Sequence, residues 1–129
     1  MARISLELVP RTEAGLINEL QMAESKLSMI DIINIPDLLS CELRGPDGAV
    51  AAKKYFPSVI PHIRAMDIDL ERPLPMADYL RKNNIKEVLV IQGDPPQDMT
   101  HTFYPTESID VIWKFKKEMP DIKVYAGID

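Results

Sequence analysis

Four polar residues stand at or near the closing ends of short apolar runs: Glu7 in the run 4–9, Asn34 in 29–35, His62 in 59–63 and Asp94 just after 88–91. A carboxylate can donate or accept a proton, an imidazole can do either near neutral pH, and a carboxamide offers a donor and an acceptor side by side. Parallel sheets are buried on both faces, and their ligands sit at the carboxyl ends of the strands. Polar side chains at those ends are therefore the first candidates for a site. Gly93 before Asp94 adds a position where the backbone itself can approach a flat ligand, and Pro95-Pro96 would stiffen the turn.

Each candidate has a plainer alternative. Between Leu6 and Leu8, Glu7 would be desolvated at a strand mouth, raising its pKa as suits a general acid, or it is a solvated strand-end residue paired with Arg11 or Arg64. His62, between Pro61 and Ile63, is a site residue or a histidine held by backbone hydrogen bonds. The segment from Gly93 is a ligand loop or a turn with an Asx cap.

Other chemistries find no support. His101 is far from His62 in sequence and no Cys or carboxylate spacing joins either, so no metal site is expected. Asp67, Asp69 and Glu71 lack the glycine and spacing of a calcium loop. Neither the dehydrogenase glycine fingerprint nor a phosphate-binding glycine-lysine loop is present, and no Gly-x-Ser-x-Gly or Cys/His pair marks a nucleophile. Cys41, the single cysteine, cannot close an internal disulfide and reads as a small buried or semi-buried residue rather than a nucleophile.

The elements that would position the candidates alternate between strand and helix. Strands are expected over 4–9, 29–35, 59–63, 88–91 and 122–126, the third interrupted near its end by Pro61 and the fourth buried on both faces. Thr12 can cap a helix whose Leu16, Leu20, Ala23 and Leu27 share one face. After a polar turn with Gly45, Pro46 and Gly48, a short helix is expected over 49–56. A third runs through Met76, Tyr79 and Leu80 to a left-handed stop at Asn83 and Asn84. The fourth, capped by Thr106, carries Ile109, Ile112, Trp113 and Lys116 on adjoining positions and closes at Pro120. The connection 93–105 exceeds the ~2 to 6 residues usual for such loops, an excess that favours a functional loop.

The 129 residues suffice for one domain. With 46% hydrophobic and 27% charged residues the chain is expected to fold. Against 20 acidic residues stand 15 Lys and Arg, scattered and leaving a net charge of -5, which argues against nucleic acid as a partner. No stretch has the length of a secretion signal or membrane span, so a cytoplasmic location is expected.

In order and spacing, these strand ends resemble those of the methylenetetrahydrofolate reductases. The run Ser5-Leu6-Glu7-Leu8-Val9-Pro10-Arg11-Thr12 is similar to that family's first strand, with its acidic residue before a proline turn. Pro61-His62-Ile63 looks like its third-strand proline-histidine, and Gln92-Gly93-Asp94-Pro95-Pro96 like its fourth-strand glycine-aspartate-proline segment. The resemblance spans nearly the whole chain, with two departures: Gln92 stands where many relatives have an arginine, and Gly127 where they commonly have an aromatic ring.

The resemblance implies a (β/α)8 TIM-barrel type of fold, of which residues 1–129 would be a single N-terminal portion: a partial barrel of about five parallel strands. It implies a flavoenzyme carrying FAD across the barrel mouth, passing a hydride from reduced nicotinamide to methylenetetrahydrofolate. Glu7 and Asp94 would be catalytic. Asn34, His62, Gln92, Gly93, Asp94, Tyr125, Ala126 and Gly127 would line the cofactor site. A half-barrel that binds a folate or pterin without redox chemistry, or an inactive fragment, is the alternative. Since a full barrel needs ~250 residues, the edge strands would call for cover by a second copy, a companion polypeptide or further chain.

Overall fold

The computed structural model describes residues 2–94 and 100–127. It is an α/β fold with a five-stranded sheet whose strands lie in chain order, with helices between them. Cα proximity divides the chain into two compact units, Met1–His62 and Ile63–Asp129.

In the first unit, β1 (Ser5–Glu7), β2 (Ile32–Ile35) and the start of β3 (Ser58–Arg64) pair in parallel, with Glu7 opposite Asn34 and Asn34 opposite Ile60. Between them run α1 (Glu13–Lys26) and α2 (Gly45–Ala52). As expected, the Thr12 hydroxyl caps α1, accepting from the Gly15 N–H at 3.0 Å. Leu16, Leu20 and Ala23 form its buried face, and full burial of each leucine contributes about 1.5 to 3 kcal/mol. Leu27 has left that face: it is the C-cap and is exposed.

The second helix starts four residues before the expected 49–56, because Gly45, Pro46 and Gly48 form its first turn rather than a preceding loop. Proline near a helix start sacrifices no intrahelical bond. Arg44, the N-cap, provides no side-chain cap. Buried Asp37 replaces it from the β2–α2 connection, accepting from the Gly45 N–H at 2.8 Å and from Arg44 Nε and Nη2 at 2.7 Å each. Gly45 lies so close to β3 that a Cβ there would meet the His62 carbonyl oxygen at 2.7 Å, and one on Gly48 would meet the Ile35 Cγ2 at 2.7 Å. These glycines let α2 lie against the strands.

Pro61 was expected near the end of β3, yet it pairs with Ile35 and the strand continues to Arg64. Evenly slanted parallel hydrogen bonding leaves some N–H groups of a strand unneeded on a given side, which tolerates the ring.

In the second unit, a 3-10 turn at Ala65–Asp67 follows β3, then α3 (Ala77–Lys82), β4 (Glu87–Ile91), α4 (Ser108–Glu118) and β5 (Lys123–Ala126), the last paired parallel with β4. Asn84 has the expected left-handed backbone, φ 57°, whereas Asn83 does not. Burial along β4 alternates: Val88 and Val90 are buried, while Glu87, Leu89 and Ile91 are half-buried. The strand is thus covered on one face, not the two its apolar sequence suggested. The buried face of α4 is Val111 and Phe115; Ile109 and Trp113, four apart, are exposed, Trp113 by 70%. Thr106 does not cap α4. Its hydroxyl donates to the Ile68 carbonyl at 2.7 Å, and the N-cap is Glu107.

Replacing Gly45 by alanine is expected to force β3 and α2 apart and destabilise the fold by about 1 to 3 kcal/mol. Urea denaturation should show a lower midpoint at unchanged slope; an unchanged midpoint would mean the contact relaxes freely.

Candidate functional site

Side chains alternate across a strand, so the register of the first unit assigns Ser5, Glu7, Ile32, Asn34, Ser58, Ile60 and His62 to one face of the sheet. Leu6, Ile33, Ile35, Val59 and Pro61 fall on the other, and Gly48 of α2 packs against Ile35 there. Three of the expected site residues, Glu7, Asn34 and His62, are therefore brought together on adjacent strands.

A hydrogen-bonded chain runs across that face. His62 Nε2 lies 3.3 Å from Asn34 Oδ1, and Asn34 Nδ2 donates to the Ser5 hydroxyl. The imidazole is therefore bonded to a side chain, where a backbone partner was the plainer expectation. Loss of solvation on burial lowers the His62 pKa, while the negative charges of Glu7 and Asp37 push it back up. Desolvation prevails and favours neutral imidazole.

Of its two alternatives Glu7 is the solvated strand-end residue. Its side chain is exposed, not desolvated, because β1 alternates exposed, half-buried, exposed through Ser5, Leu6 and Glu7. Flanking apolar residues point to the opposite face of a strand and cannot bury it.

In the second unit Gly93 has φ 83°, and a Cβ there would meet the Arg64 guanidinium at 3.0 Å. That left-handed conformation and close approach fit glycine alone. Arg64 is buried, donates through Nη2 to the Asp94 carbonyl oxygen and has Nε 3.4 Å from Asp67 Oδ2. This Nε makes no hydrogen bond, so the Asp67 contact is one of charge rather than of directed bonding. Asp67 also holds His101 at 3.0 Å. Asp94 itself is exposed, and Pro95 and Pro96 lie outside the described residues.

Gln92 has an internal task. Its Nε2 donates to the Thr106 carbonyl at 2.9 Å, and its Oε1 accepts from the Ser108 N–H at 3.0 Å, anchoring the start of α4. Tyr125, opposite Leu89, turns its hydroxyl to Glu87 at the opening end of β4, 2.8 Å away. Ala126 is exposed, and the Gly127 N–H donates to the Val90 carbonyl at 2.9 Å.

Sequence reasoning passed over Ser5, Asp37 and the Arg64–Asp67–His101 group. The period-two spacing of Ser5 and Glu7 and the i,i+3 spacing of Arg64 and Asp67 were the available signals; nothing local linked Asp37 to His62. Among the described residues, no three His, Cys, Asp or Glu side chains could together hold a metal ion, and no helix is long and apolar enough to cross a membrane.

Searches with protein-family models and among curated proteins return no match to this chain.

A lowered His62 pKa ties stability to pH. The unfolded chain binds the proton more readily, so this contribution is fully present above the ordinary imidazole value of 6.5 and is lost as pH falls below it. Urea midpoints measured from about pH 7.5 to about pH 5 should fall less steeply for His62→Gln than for the wild type. Equal slopes would mean His62 ionises as freely in the fold as outside it.

Proposed function

We propose that the chain forms part of a (β/α)8-barrel flavoenzyme of the methylenetetrahydrofolate reductase type, acting on a reduced folate. The observation that carries this reading is the grouping of Glu7, Asn34 and His62 on one face of adjacent parallel strands. Strand order supports it further. Sequential order without a reversal is the winding of a barrel, whereas doubly wound sheets reverse at a switch point.

The first unit's polar face fits a flat heteroaromatic cofactor such as FAD. There half-buried Asn34 and exposed Glu7 present a carboxamide and a carboxylate, beside Ile32, Ile60 and His62, which are themselves buried. In the second unit the bare backbone of Gly93 suits close approach, while the Gln92 amide spends one N–H on Thr106 and its oxygen on Ser108, which turns it toward the start of α4. Bound flavin would supply hydride transfer between reduced nicotinamide and the folate.

The chain's own groups would bind, orient and move a proton. Asn34 and His62 would hold the ring edge by hydrogen bonds. Glu7 delivers a proton to the folate nitrogen that departs when the methylene bridge opens to an iminium. Its exposure in the free protein is compatible with this role, because a planar ligand laid over the face would remove water from around the carboxyl.

The engaged Gln92 amide favours a second reading, a folate- or pterin-binding protein without flavin. Calorimetric folate binding in a preparation that takes up no FAD would select it.

Glu7→Gln separates a chemical role from a structural one. Folate reduction should fall by about 10²- to 10⁴-fold, as for loss of a general acid, with FAD absorbance and affinity retained. Parallel loss of both would make Glu7 a structural residue.

A further inference from the structure

We propose that the outer edge of β1 pairs with the same edge of a second copy of this chain, antiparallel and centred on Ser5, so that Arg3 of each copy meets Glu7 of the other. The inference goes beyond the reading above and does not depend on it, since two copies meet here without any ligand.

β1 stands at one end of the strand order, with no further strand beside it among the described residues. Its bonds to β2 come from alternate residues. The Ile4 carbonyl accepts from the Ile32 N–H at 3.2 Å, and the Leu8 N–H donates to the Asn34 carbonyl at 3.0 Å. The N–H and C=O of one strand residue point the same way and successive residues alternate, so Ser5 and Glu7 turn theirs away from β2. An outward row of such groups is a template for another strand.

Charges on an edge usually discourage pairing; here they select one register. Arg3 and Glu7 are exposed, opposite in sign and two residues either side of Ser5. A two-fold axis at Ser5 therefore sets Arg3 opposite the partner's Glu7, and Glu7 opposite the partner's Arg3. On the other face Ile4, 49% exposed, meets the partner's Leu6. Centring the pair on Arg3 or on Glu7 would bring like charges face to face, which opposes it. Centring it on Ile4 or Leu6 sets neither charge opposite the other.

The pairing also adds to the polar face. Glu7 shares that face with Asn34, so the partner's Arg3 would arrive beside the candidate site. A ladder of so few residues falls short of the ~1,200 Å² of standard stable interfaces. The dimer is accordingly reversible and forms as concentration rises.

Sedimentation velocity over a concentration series at low salt tests this. The wild type should pass from monomer to dimer, and the Ser5 and Glu7 amides should exchange with solvent more slowly as it does. Arg3→Glu and Glu7→Arg, each confronting like charges, should weaken self-association by roughly tenfold or more. Mixing the two variants should restore it, because the acidic positions of one chain then meet the basic positions of the other. A wild type that stays monomeric throughout the series would overturn the proposal, as would a dimer whose Ser5 and Glu7 amides exchange as fast as in the monomer. So would folded variants, judged by their backbone amide spectra, that associate as the wild type does, or a mixture no more associated than its components. None of these readouts involves FAD or folate, so failure of the flavin reading leaves them intact, and the converse holds as well.

Discussion

The two-residue alternation of side chains along parallel strands is the constraint from which the site follows. Each strand residue must face one side of the sheet or the other. In the first unit the side bearing Ile33, Ile35 and Val59 packs inward, Ile35 directly on the glycine-rich start of α2. That commitment leaves Ser5, Glu7, Asn34 and His62 together on the reverse side at a spacing fixed by the ladder. The apolar face thus orders the polar one, since no slip of register could mend the hydrogen bonds without exposing the core.

Asp37 links the core, the helix and the polar face. Its carboxylate satisfies the first N–H of α2 and a bidentate Arg44, which compensates for burying a charge. The same negative charge acts on His62, whose carbonyl oxygen leaves no room for a Cβ on Gly45. Helix capping, strand packing and the charge felt by the imidazole therefore meet at one carboxylate.

Much of this was legible in the sequence where a single local rule dominates. Thr12 followed by Leu16, Leu20 and Ala23 specifies a capped amphipathic helix, and the apolar β-branched runs mark all five strands. The failures occur where distant residues decide. Gly45, Pro46 and Gly48 read as a turn until Asp37, eight residues before Gly45, provides the missing cap. Thr106 has the composition of a cap, but Ile68 takes its hydroxyl and Gln92 reaches across to serve the helix start. For Glu7 the flanking leucines left burial and solvation both open, and only strand geometry, in which sequence neighbours point the other way, decides for solvation. Its grouping with Asn34 and His62 was legible from strand ends alone; Ser5's share in that grouping required the register.

The exposure of Trp113 on α4 has an optical consequence. It is the only tryptophan of the chain and is 70% exposed, so its indole is bathed in water in the native protein much as it would be in a random coil. Intrinsic fluorescence should therefore emit at long wavelength from the outset and shift little when the core melts. The same isolation from Phe115 and the buried strands makes this indole a discreet native lamp for whatever molecule comes to rest on the outer surface of α4.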